Sequence, residues 1–160
     1  MKICYIYHSE TGTTRGVVDR CLAATGGDRI EVQDLQHYSR ISKYLIGAGR
    51  AAKGLSDPIE PSEIDVSGCD LLVIGSPVWS GKPTPAINAA IQALKGCEGR
   101  KSILYVTCGG SARDALTRMK TALEGRGVNV TAGVEFTRKD LRNEGKVKDL
   151  IDQIQAAGSG

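Results

Sequence analysis

The chain has 160 residues and a formal net charge of only +3 at neutral pH, too weak a basic excess for a nucleic-acid-binding face. Hydrophobic residues supply 41% and charged residues 24%, the balance of an ordinary globular domain that buries a core without staples. Its cysteines (Cys4, Cys21, Cys69, Cys97 and Cys108) are odd in number, scattered and without a CxxC pair, with only His8 and His37 beside them, which argues against a disulfide framework and against zinc or iron–sulfur chemistry. No apolar run approaches a membrane span, and the start MKICYIYHS lacks the apolar stretch and cleavage site of a signal peptide. A cytoplasmic protein that does not enter the membrane is expected.

The first apolar run, residues 3–7, reads as a strand, and residues 29–32 read as a weaker, outer one. Residues 71–74 and 103–106 are continuous apolar runs, as strands buried on both faces are. Residues 128–136 are the last. Between them lie stripes of helical period: Val17, Val18, Cys21 and Leu22; Ile41, Tyr44, Leu45, Ala48 and Ala52; Ile87, Ala90, Ile91 and Leu94; Leu116, Met119 and Leu123; and Val147, Leu150, Ile151 and Ile154. Five β–α repeats imply an α/β fold with an open, doubly wound parallel sheet, because the chain is too short for a closed eight-fold barrel. One domain over residues 1–160 is expected, with residues 157–160 as a frayed tail. In such sheets ligands sit beyond the carboxyl ends of the strands, so the loops after Tyr7, Ile74 and Val106 are where chemistry is sought.

After Tyr7 the chain reads His8-Ser9-Glu10-Thr11-Gly12-Thr13-Thr14 and then turns helical. Hydroxyls at Ser9, Thr11, Thr13 and Thr14, a glycine and the positive end of a helix dipole make a cradle for a phosphate dianion. A turn with a threonine N-cap would need one hydroxyl, not four. Arg15 is the only cation nearby. Residues 75–83 approach a P-loop but carry one residue too many between the glycines, and Pro83 replaces the metal-binding hydroxyl. Residues 47–52 match the short G-x-G-x-x-A form, yet they continue a helical stripe. The loop after Ile74 carries the only tryptophan, Trp79, whose indole offers a flat face to a planar ring; packing against a neighbouring helix is the other reading. Thr107-Cys108-Gly109-Gly110 lets the backbone run close to a ligand edge, or makes a tight strand-to-helix turn.

Together, S-x-T-G-x-T after the first strand, G-x-P-x-W-x-G after the third and C-G-G after the fourth resemble the three FMN loops of flavodoxins, over nearly the whole chain and in the short-chain form. The resemblance implies FMN as cofactor and strand order 2-1-3-4-5. It implies that Ser9, Thr11, Gly12, Thr13 and Thr14 bind the phosphate, with the backbone N–H of Glu10. It places Ser76, Pro77 and Val78 along the ribityl chain and ring, and Trp79 on one face of the isoalloxazine. The Ser80–Gly81 peptide corresponds to the one that turns toward flavin N5, and Thr107, Cys108, Gly109 and Gly110 meet the pyrimidine end. Two features depart from the family. No second stacking aromatic follows the fourth strand, where Ser111-Ala112-Arg113-Asp114 stands, and the chain is not acidic.

The first expectation is a flavodoxin passing electrons at low potential between redox partner proteins, with no catalytic residue of its own. The alternatives are an NAD(P)H-dependent quinone or flavin reductase, with Arg113 and Lys82 as anion contacts, and a non-redox binding domain on the same scaffold. Arg40, Lys43, Arg50 and Lys53 form a basic stretch that suggests an acidic, ferredoxin-like partner. A monomer or weak dimer is expected.

Overall fold

The structure, a computed structural model, describes residues 1–36, 46, 48–53 and 55–158. Its centre is a sheet of five parallel strands: β1 (Ile3–Tyr7), β2 (Asp28–Glu31), β3 (Leu71–Trp79), β4 (Lys101–Thr107) and β5 (Asn129–Phe136). Their spatial order is β2-β1-β3-β4-β5, which is 2-1-3-4-5 as expected. Register is set by pairs such as Ile6 with Ile74 and Ile74 with Leu104.

Side chains alternate along each strand, and the alternation divides the core into two layers. Cys4, Ile6, Leu72, Ile74, Leu104 and Val106 face one side, where helices α2 (Pro85–Ala93) and α3 (Ala115–Glu124) cover them with Ile87, Ile91, Met119 and Leu123. Ile3, Tyr5, Tyr7, Val73, Ile103 and Tyr105 face the other, under α1 (Thr13–Thr25) and α4 (Glu144–Ala157), which contribute Val17, Val18, Leu150 and Ile154. Each fully buried aliphatic side chain contributes about 1.5–3 kcal/mol, and the central strands are lined by such residues on both faces. No helix among the described residues is long and apolar enough to cross a membrane.

The two-layer arrangement creates the switch point. β1 leads into α1 on one layer, and its neighbour β3 leads toward α2 on the other, so a crevice opens between the loops at their carboxyl ends.

Several boundaries differ from the sequence reading. The third strand does not stop at Ile74 but runs through Gly75, Ser76, Pro77 and Val78 to Trp79. It then turns back through Ser80 and Gly81 into a two-residue antiparallel partner, Lys82–Pro83. Trp79 therefore sits at a strand end, not in a loop. Two short strand pairs, Gln33–Asp34 with Ile59–Glu60 and Ile64–Asp65 with Leu94–Lys95, carry no alternating signal. Ala157 closes α4 with Gly158 as its C-cap, so the final helix reaches into the expected tail.

Of the stripe at 41–52, Ile41, Tyr44 and Leu45 lie outside the described residues, and Ala48–Ala52 is a short helix. Arg40 and Lys43 lie outside them too. Arg50 does not face a partner with its whole charge: it holds the fully buried Asp57 carboxylate at 2.6 Å. A buried acid needs such a partner, which makes Arg50 part of the fold.

Candidate functional site

At the first loop, Gly12 is the N-cap of α1 in a left-handed conformation, φ 88°, and brings no capping side chain of its own. No acid stands in the first turn, and the amides of Thr13 and Thr14 find no acceptor among the described residues. A helix N-terminus with open N–H groups suits an anion. The hydroxyls of Thr11 and Thr13 lie 3.1 Å apart and are exposed. Ser9 and Thr14 are otherwise engaged. Ser9 Oγ accepts the amide of Arg15 at 3.1 Å, and Thr14 Oγ1 meets Thr107 Oγ1 at 2.8 Å in a buried contact. Tyr105, fully buried beneath, donates its hydroxyl to the carbonyl of Thr14 at 3.1 Å. The first and fourth loops are thus locked to one another by Thr14, Thr107 and Tyr105.

The sequence reading makes Arg15 the nearest cation, but the structure turns it away. Arg15 Nε and an Nη donate to the two carboxylate oxygens of Glu31 on β2, at 3.0 and 2.5 Å. Glu31 also accepts the Tyr7 hydroxyl at 3.0 Å, and these bonds, Arg15 foremost, hold its carboxyl below the usual range.

On the opposite wall, Trp79 is half-buried and meets His8 edge to face, with ring centroids 6.2 Å apart. His8 Nδ1 and Thr84 Oγ1 lie 3.0 Å apart. Ser80 and Gly81 both have positive φ, 50° and 73°, the geometry of a tight two-residue hairpin turn. That turn is tethered twice. A Cβ on Gly81 would stand 2.7 Å from Arg113 Cδ, so Arg113 packs directly over it, and Lys82 Nζ pairs with Asp114. Of the candidate anion contacts by loop position, Lys82 is paired with Asp114, and Arg113 lays its aliphatic stem over the turn. Ser76 is buried, with its Oγ accepting the amide of Thr84 at 3.1 Å and donating to the carbonyl of Pro77. It shapes the hairpin from inside and does not border the cleft.

The fourth loop is open. Gly109 and Gly110 are exposed, neither has positive φ, and a Cβ on either would meet nothing within 4 Å. The chain itself supplies no steric reason for glycine at these positions. Cys108 Sγ approaches Glu135 Oε1 at 3.6 Å, and burial first, then the Glu135 carboxylate, pushes its thiol up to about 11. A thiol so raised is a poor nucleophile at neutral pH. Alkylation of Cys108 by iodoacetamide is therefore expected to be slow at pH 7 and to climb steadily toward pH 11. A plateau near pH 8, followed by peptide mass spectrometry, would mean that the thiolate is stabilised after all.

One cleft collects most of the residues that the motifs single out: Glu10, Thr11, Thr13 and Thr14 from the first loop, Pro77, Val78 and Trp79 from the end of β3, and Thr107, Cys108 and Gly109 from the fourth. Ser9 borders an adjoining recess with His8, Asp34 and Trp79. Gly12, Ser80, Gly81 and Gly110 are next to cleft residues in the chain without lining it. The cleft also has two members that the motifs omit, Arg138 and Leu141, from a four-residue helix after β5. Thr137 N-caps that helix in a reciprocal box with Asp140. The T-x-x-D signature was visible in the sequence, but its place beside the cleft was not.

The donors match a flavin mononucleotide: open amides and hydroxyls for the phosphate, an indole for the ring, and a side-chain-free wall at Gly109. A cleft of this kind at the switch point of a 2-1-3-4-5 sheet defines a flavodoxin-like flavoprotein, with FMN as its cofactor. Residues 1–137 match the family model described as NADPH-dependent FMN reductase, and the chain belongs to that family. No curated protein matches its sequence. Among solved structures it is similar to a Bacteroides eggerthii protein assigned as a flavoprotein, with 25% identity, a TM-score of 0.72, and coverage of 96% of this chain and 98% of that one. A Lactobacillus acidophilus flavoprotein in complex with FMN shares 19% identity at a TM-score of 0.73, covering 92% and 97%. The two-electron reduced flavodoxin of Megasphaera elsdenii shares 15% at 0.64, covering 99% of each. The last two likenesses concern the fold.

Proposed function

We propose that this chain is an FMN-dependent reductase that takes reducing equivalents from NADPH and passes them to a small acceptor of the quinone or flavin class. The family match supports this over the electron-carrier role that the flavodoxin loops suggest. The observation that supports the reading is the exposed, side-chain-free wall at Gly109, which on this reading would leave one face of a ring stacked on Trp79 open to a second planar molecule.

When bound, FMN would supply reversible acceptance of a hydride, which carries both electrons of the reduction. The residues do the positioning. The amides of Thr13 and Thr14 and the hydroxyls of Thr11 and Thr13 hold the phosphate, with the backbone of Glu10 and Gly12 closing the loop. Pro77 and Val78 line the ribityl chain, Trp79 supports one ring face, and Thr107, Cys108, Gly109 and Gly110 border the pyrimidine edge. The Ser80–Gly81 turn lies at the N5 side. Arg113 packs over that turn, and the Lys82–Asp114 pair stands beside it.

The test is anaerobic mixing of the FMN-loaded protein with NADPH alone. The flavin absorbance is expected to bleach without any partner protein, and stepwise photoreduction is expected to pass to the two-electron state with little long-wavelength absorbance. A flavin that stays oxidised under NADPH and accumulates the one-electron form on photoreduction would return the protein to the carrier role.

A further inference from the structure

The phosphate of FMN is a dianion near neutral pH, and the first loop offers it dipoles but no cation, since Arg15 is spent on Glu31. Glu10 lines the same cleft without adding a cation. The one cationic side chain that borders the cleft among the described residues is Arg138. Its layer is the relevant one. The Arg138–Leu141 helix leads into α4, and α4 packs against α1 on the same face of the sheet. This sets Arg138 on the side of the α1 N-terminus, with Thr13 and Thr14, whereas the Trp79 hairpin leads into α2 on the opposite face. Arg138 is exposed and makes no hydrogen bond or ion pair with the described residues. The nearest acid in the chain, Asp140, is committed to Thr137 and Lys146. Arg138 also stands just past the segment that the family model covers, residues 1–137.

We propose that Arg138, delivered from beyond the fifth strand, is the charge partner of the FMN phosphate and the residue that makes this site prefer FMN to riboflavin. The proposal rests on the FMN reading above. A guanidinium is suited to the task because its planar fork matches two phosphate oxygens at once. It also adds a full charge to the partial charge of the helix terminus, about half a unit.

The experiment is a fluorescence titration of FMN and of riboflavin with apoprotein, for the unaltered chain, Arg138→Gln and Arg138→Lys. Arg138→Gln is expected to weaken FMN binding roughly 10- to 100-fold, to leave riboflavin binding unchanged and to flatten the salt dependence of FMN binding. Arg138→Lys is expected to restore part of the FMN affinity, as a point charge without the fork. The thermal unfolding of the apoproteins is expected to coincide, because Arg138 holds nothing in the fold. FMN affinity that is unchanged in Arg138→Gln overturns the proposal and leaves the FMN reading standing. Equal losses for FMN and riboflavin also overturn it, by showing a ring contact. An unaltered chain that binds neither flavin overturns both.

Discussion

Gly75→Ala is expected to destabilise the protein by about 3 kcal/mol or more, in the upper range for overpacking a core. A Cβ at this position would lie 2.0 Å from Cζ of Tyr105 and 2.3 Å from its Cε1. Tyr105 has no room to retreat: it is almost wholly buried, meets Phe136 edge to face and donates its hydroxyl to Thr14. Urea unfolding followed by circular dichroism measures the loss. Tyr105→Leu in the Gly75→Ala background is expected to recover part of it, so that the two changes are strongly non-additive. If Gly75→Ala unfolds at the same urea concentration as the unaltered chain, the glycine is not there to admit the ring. The consequence reaches the site, because the same tyrosine ties the first turn of α1 to β4, and with it the loops that face each other across the cleft.

Gly109→Leu is expected to do the opposite: to leave stability within about 0.5 kcal/mol while weakening FMN binding at least ~100-fold, a cost of about 2.7 kcal/mol. Nothing in the protein stands within 4 Å of a Cβ at 109, and the backbone there does not require glycine. On the proposed reading, the space that a side chain would fill is taken by the flavin. Thermal unfolding of the apoprotein and a flavin titration separate the two effects. Destabilisation of the apoprotein would show that the loop packs on itself. Unchanged affinity would show that the flavin does not run along this wall, and the openness used to argue for a second planar substrate would lose its support.

Much of the fold was legible because it rests on local periodicity. The runs at β1, β3 and β4 are apolar on both faces, and the stripes of α1, α2, α3 and α4 repeat at helical spacing. What lacked a periodic signal escaped. Gly75, Ser76 and Pro77 look like turn residues, yet they are strand. Gly75 is there to admit Tyr105, and Ser76 to receive an amide from Thr84. Those reasons come from residues 30 and 8 positions away.

The site divides in the same manner. The hydroxyl-rich loop at 9–14, the tryptophan at 79 and the glycines at 109 and 110 could be read directly, because each is a local cluster with a local chemistry. By itself the sequence determined an α/β domain of doubly wound type and a hydroxyl-rich loop at the end of its first strand. Only the tertiary structure decided which charges face that loop. Arg15, one residue away from it, is drawn off by Glu31 on β2, and Arg138, far along the chain, borders the same cleft from the short helix after β5. The physical reason is that charge pairing is set by distance in space and by the layer to which each crossover returns, and neither is written in the spacing of residues along the chain.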